Sequence, residues 1–110
     1  MELSINAPVE VDLGGGKLQL VFDMDAMISM EEGGLAVSDL EARMASSPFG
    51  TLRQLLWFGA RRVQPDLKLA DIGPMFDMRQ MDRIAKDVTA VLESQLPEKK
   101  ENPPAPPLVQ

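Results

Sequence analysis

Phe49-Gly-Thr-Leu-Arg-Gln-Leu-Leu-Trp-Phe-Gly-Ala-Arg-Arg-Val63 holds the only tryptophan and two of the four phenylalanines of this 110-residue chain. Leu52, Leu55, Leu56, Gly59, Ala60 and Val63 recur at helical spacing and line one face. Trp57 and Phe58 widen that stripe until most of the helix surface is apolar. A helix of this kind is covered by neighbours on several sides, so it is expected at the centre of the fold. Gly59 stands out, because glycine inside a helix costs about 1 kcal/mol relative to alanine. The expected gain is close approach of another element's backbone. Arg61 and Arg62 fall in the expected last turn, where the helix dipole favours cations.

Upstream, Val9-Glu-Val-Asp-Leu13 and Lys17-Leu-Gln-Leu-Val-Phe22 alternate apolar and polar residues around Gly14-Gly-Gly16, the pattern of a β-hairpin. Two strands are not stable alone, so the hairpin must lie on helices. Pro8 opens the first strand, where an edge tolerates it. A phosphate loop is disfavoured, because no helix and no Gly-Lys-Ser/Thr ending follows the glycines. Asp23 reads as an N-cap with Asp25 in the first turn of a helix that Gly33-Gly34 stops. Asp23, Asp25, Glu31 and Glu32 lack the glycine and spaced oxygens of a calcium loop, so capping explains them better.

Ser38-Asp-Leu-Glu41 has the capping-box pattern. The central helix opens either with Ser47 as cap and Pro48 at the first position, or with Thr51 as cap and Gln54 closing a box. Leu69, Ile72 and Phe76 share a helical face, but Gly73-Pro74 predicts a short or kinked helix. Met81, Ile84, Ala85, Val88, Val91, Leu92 and Leu96 make a clean stripe that Pro97 ends.

The reading is an α+β fold: an N-terminal β-hairpin (8–22) packed on a mostly α-helical domain of four to five helices. The helices are expected at about 23–32, 38–46, 48–63, 67–76 and 79–96. Residues 1–97 form a single compact domain, and 98–110, with four prolines, a disordered tail.

Composition narrows the function. Cysteine, histidine and tyrosine are absent, which removes disulfides, thiolate metal sites, the commonest general base and the phenolic acid. Ser46 and Ser47 have no histidine to activate them, and each carboxylate pair has a simpler role as cap or wet face. No enzyme, cofactor or metal site is expected. No apolar run approaches the roughly 20 residues that cross a bilayer, and Met1–Asn6 lack the marks of a secretory signal, so the expected location is the cytoplasm.

Charge is lopsided. Residues 1–48 carry nine acidic and two basic side chains, whereas 49–97 carry six and seven. The acidic half repels a polyanion and the other half has no basic patch with interleaved aromatics, so nucleic-acid binding is not expected. The bipolarity suits a protein partner or head-to-tail self-association; it also simply keeps a domain soluble.

Eight methionines are many for this length. Met24, Met27 and Met30 recur every third residue, as do Met75, Met78 and Met81. Thioethers fill irregular cores, the more usual case, and when exposed they adapt to varied apolar partners.

Taken in order, the apolar-Phe-Asp step after the strands, the acidic helix ending in Glu-Glu-Gly, Leu52-Arg-Gln-Leu-Leu-Trp-Phe-Gly-Ala-Arg-Arg62, the Pro65-Asp-Leu67 turn and a closing helix with a Leu-Pro end make a familiar arrangement. Over about residues 17–97 the chain resembles the tail assembly chaperones of long-tailed bacteriophages, prophages and gene transfer agents. Phe58, Ala60, Lys68 and Gly73-Pro74 depart from that family's usual pattern. The resemblance implies a non-enzymatic protein that binds the tape-measure protein, keeps it soluble during tail-tube assembly and is absent from the mature particle. Tail-tube protein is a further implied partner, through the extension of a longer frameshifted product. Trp57, Phe58, Arg61, Arg62, Met24, Met27 and Met30 are the candidate partner-binding residues. Alternatives are a structural head–tail or tail-terminator component, or a small acidic adaptor or regulatory protein.

Overall fold

A computed structural model describes residues 7–96. The elements are β1 (Val9–Asp12), β2 (Lys17–Leu20), α1 (Met24–Glu32), α2 (Leu40–Ser46), α3 (Pro48–Ala60), α4 (Leu69–Ile72) and α5 (Met81–Gln95), with 3-10 turns at Val37–Asp39, Gly73–Met75 and Met78–Gln80. This is the expected α+β arrangement, an antiparallel hairpin packed on five helices. Among the described residues, no helix is long and apolar enough to cross a membrane. The expected tail at 98–110 lies outside the described residues.

β1 and β2 pair with Val11 opposite Leu18 and Glu10 opposite Gln19. Period-2 alternation therefore puts Val11, Leu18 and Leu20 in the core and leaves Glu10, Asp12, Lys17 and Gln19 wet. β2 ends two residues short of Phe22. The Val21 N–H turns away to donate to the Gly59 carbonyl at 3.0 Å, and the Phe22 N–H donates to Gln95 Oε1 at 2.6 Å. Gln95 also donates to the Ala7 carbonyl at 3.0 Å, so one amide from α5 holds both edges of the hairpin base.

α3 is the hub, in contact with β2, α1, α2 and α4, while α5 packs on β1. Leu52, Leu55 and Leu56 of α3 meet Ile84, Val88 and Leu92 of α5, with Leu13, Leu20, Phe22, Met30 and Leu35, in one core. Gly59 is where the hairpin end comes close to α3. A Cβ there would stand 2.7 Å from Cζ of Phe22, so the ring occupies the space a side chain would need.

The helix ends show where local reading held. Asp23 Oδ1 accepts the Ala26 N–H at 2.9 Å, as an N-cap does. Past Gly33, the Leu35 N–H donates to the Met30 carbonyl at 2.7 Å and the Gly34 N–H to Glu31 at 3.2 Å, with Gly34 at φ +83°, a Schellman ending. The Ser38–Glu41 capping box does not form. A 3-10 turn at Val37–Asp39 enters α2, whose N-cap Asp39 makes no side-chain bond. Ser47 takes the cap position before Pro48, also without a side-chain bond. The Thr51 hydroxyl, buried, donates instead to the Arg43 carbonyl at 3.1 Å.

α3 stops at Ala60, three residues before the expected end, so Arg61 and Arg62 lie just past it. Gly73-Pro74 divides the expected 67–76 helix into α4 and a 3-10 turn. Asp71 Oδ2 accepts the Lys68 N–H at 3.0 Å, closing the first turn of α4 where Lys68 itself has no acceptor to offer.

Candidate apolar binding groove

The residues singled out from sequence divide into those that close the structure and those that face out. Phe58 is 5% exposed and Met30 fully buried, so neither presents a surface to a partner; both are core residues. The Phe58 ring packs beside Trp57, centroids 5.0 Å apart, and against Gly33, where a Cβ would stand 2.7 Å from it. Trp57 is half-buried. Its indole N–H donates to the Leu67 carbonyl at 2.8 Å, pinning the turn after α3, and the Arg61 guanidinium lies 4.4 Å from its ring centroid.

Arg62 is held by two carboxylates, Asp23 at 3.1 Å and Asp25 at 3.3 Å, tying the far end of α3 to the start of α1. Met27 is half-buried against the core. Only Met24, 73% exposed, stands free.

The open surface lies at the other end of α3. Phe49, in the first turn, and Met78, in the turn leading to α5, are 60% and 57% exposed. Between them runs a groove of about 320 Å³, floored by Leu52 and Ile72 and flanked by Phe76 and Met81. Arg53, one turn along α3 from Phe49, is its charged lining residue.

The glycine hairpin loop braces residues 75–77, where Phe76 and the adjoining Met78 line the groove. The Gly15 N–H donates to the Met75 carbonyl at 2.8 Å, and the Asp77 N–H donates to the Leu13 carbonyl at 2.8 Å. Gly14, at φ +94°, would place a Cβ 2.4 Å from Cβ of Asp77. Gly15 thus receives the Met75 backbone, while Gly14 and Gly16 lie against the side chains of Asp77 and Met75, so all three positions leave little room for a Cβ. Asp77 then caps the next turn through the Arg79 N–H at 3.0 Å. Side-chain and backbone hydrogen bonds from Arg79 hold its carboxyl below the ordinary aspartate value, and the same pairing raises Arg79.

Chemically, the groove is an apolar trough with a cation on its lip. Among the described residues, no three His, Cys, Asp or Glu side chains gather as a metal site. Sequence reasoning passed over Phe49 and Met78 as site residues. The signal for them was the Met75, Met78, Met81 recurrence together with the lone aromatic at the start of the central stretch. Compared with protein-family models, curated proteins and solved structures, the chain matches none.

Proposed function

We propose that this chain is a non-enzymatic tail assembly chaperone whose Phe49–Met78 groove holds apolar helical segments of a tape-measure protein. The observation that carries this reading is an exposed aromatic and an exposed thioether flanking an apolar floor, in a domain whose other aromatics are packed or hydrogen-bonded. Thioethers reshape easily around different side chains, so the groove suits a partner with many similar but unequal apolar segments.

Magnitude favours a reversible role. Fully burying one or two large apolar side chains contributes about 1.5–3 kcal/mol each before the costs of association. Each groove therefore binds weakly, and a long helical partner gains affinity only by engaging several chaperones. Release then needs no chemistry. Tail-tube subunits that cover the same apolar stripes displace the chaperone, which acts in the host cytoplasm and leaves the finished particle.

Co-expression tests this. A tape-measure fragment that precipitates alone should stay soluble beside the wild-type chain and precipitate beside Phe49→Glu. A fragment equally soluble with and without the chain would remove the basis of the proposal. Stoichiometric recovery of the chain in purified particles would favour a structural component instead.

A further inference from the structure

We infer that the proline-rich segment 97–110 folds back along α5 and lays Pro103-Pro-Ala-Pro-Pro107 in the groove, so that the chain masks its own binding site. The groove suits such a run better than it suits ordinary backbone. Arg53 carries the only polar side chain in its lining, and a guanidinium donates hydrogen bonds but accepts none. An ordinary chain lying there would bury N–H groups without partners, which is costly. Four of the five residues of the run are prolines, which have no N–H, while their carbonyls remain to accept from Arg53. Proline also fixes φ, so the run enters already extended, in the left-handed form that aromatic-lined grooves bind. Phe49 and Phe76 are the aromatic walls here.

Lengths agree. Met81 lines the groove and opens α5, whose 15 residues carry the chain about 22 Å away from it. Pro103 lies seven residues past Leu96, about 22 Å of chain at about 3.1 Å per residue, and the run continues to about 34 Å, which leaves length for the reversal. A path exists on the helix itself. Ala85, Thr89 and Glu93 follow Met81 at four-residue steps, and with Lys86 and Ala90 they line a shallow trough of about 310 Å³ on the outer side of α5. Its small side chains let another chain lie close. Lys86 makes no ion pair among the described residues. It stands about 14 Å back from Gln95 along the helix, level with Glu101 at about 16 Å along the returning segment. A tethered segment meets its site at an effective concentration on the order of 1 mM, so a Kd near that value keeps roughly half of the molecules closed. A helical partner that engages several copies displaces such a strap easily. The consequence for tape-measure binding rests on the proposed function, whereas the docking itself does not.

The lack of cysteine makes the test simple, since Ala105→Cys in the full chain accepts a single nitroxide. Methionine methyl intensities are compared with the nitroxide oxidised and reduced. An undocked segment leaves from beside Gln95, which accepts the Phe22 N–H, and meets Met24, two residues on, at least as often as it meets the groove. A docked one should weaken the Met78 and Met81 signals roughly twofold or more while Met24 loses less. Phe49→Glu should remove that contrast. Glu101→Lys, outside the described fold, should weaken docking about two- to fivefold, and Lys86→Glu in the same chain should restore it. Met24 broadened as strongly as Met78, a contrast that survives Phe49→Glu, a charge swap that restores nothing, or broadening that arises only between separately labelled molecules would each overturn the inference. Docking without any binding of a tape-measure segment would leave it standing and remove only the proposed function; segment binding to a chain whose groove is never closed would do the reverse.

Discussion

The two ends of α3 carry two phenylalanines, nine residues apart, with opposite fates. At the C-terminal end Phe58 is enclosed by Trp57 and Gly33, and Gly59 beside it admits the ring of Phe22. At the N-terminal end Phe49 projects from the first turn over a groove that no described element fills. The first end is where the hairpin, α1 and the Pro65 turn converge. The second meets α2 on one side and the 72–81 corner on the other, and that corner stands off far enough to leave a trough. Apolar character alone does not separate anchor from surface; the number of elements converging on a residue does.

The sharpest way to break the comparison is to truncate both rings. Phe58→Ala should cost about 3–5 kcal/mol in urea unfolding, the usual range for emptying a core aromatic site. Phe49→Ala should change stability by no more than about 0.5 kcal/mol while abolishing rescue of the tape-measure fragment. Similar losses of stability from the two would mean that the ends are equally packed.

Gly59→Leu comes next. It gains helix propensity but drives a side chain into the buried Phe22 ring, and a net loss of about 1–3 kcal/mol is expected. A stabilised variant would mean that the ring moves aside freely. Trp57→Phe keeps an aromatic ring and removes the indole N–H that bonds the Leu67 carbonyl, so about 1 kcal/mol should be lost, with faster amide exchange in the 64–68 turn.

The smallest effect concerns acid. The Asp77 carboxyl titrates below its ordinary value of 3.8 because Arg79 bonds its ionised form. A lowered folded-state value means the pairing stabilises the fold above that ordinary value and is lost as pH falls through the depressed one. Asp77→Asn should therefore flatten the stability profile below about pH 4 relative to wild type, read as urea midpoints across that range. An identical acid limb in the two proteins would show that the junction contributes nothing to it.

Much of the fold was legible because period-2 and period-3.6 patterns are local. The hairpin, the Asp23 cap and the α5 stripe follow directly from residue order, although the register does not: Asp12, not Leu13, lies opposite Lys17. Gly59 was legible as a close approach, although what approaches is both the Val21 amide and the Phe22 ring. The capping box at Ser38–Glu41 failed because the chain spends those residues in a 3-10 turn, bringing Arg43 of the following helix to donate to the Gly34 carbonyl. Local capping chemistry lost there to a longer-range bond.

The site was less legible than the fold. Met24, Met27 and Met30 look alike in sequence, yet α1 buries one, half-buries another and frees the third, since a three-residue step turns 300° around a helix and walks the side chain off the core. Phe49 looks like part of the core stripe. Its exposure depends on where the Gly73-Pro74 bend carries Met78, which is a tertiary fact.

The central claim is that another polypeptide is held at the open end of α3 and not at its closed end. Carbon-13 methyl spectra of the methionines, recorded while a helical tape-measure segment is titrated into the chain, test it most directly. The account predicts saturable shifts of Met78 and Met81 with Met30 unmoved. Binding that leaves Met78 and Met81 in place, or that shifts Met30 instead, would contradict it.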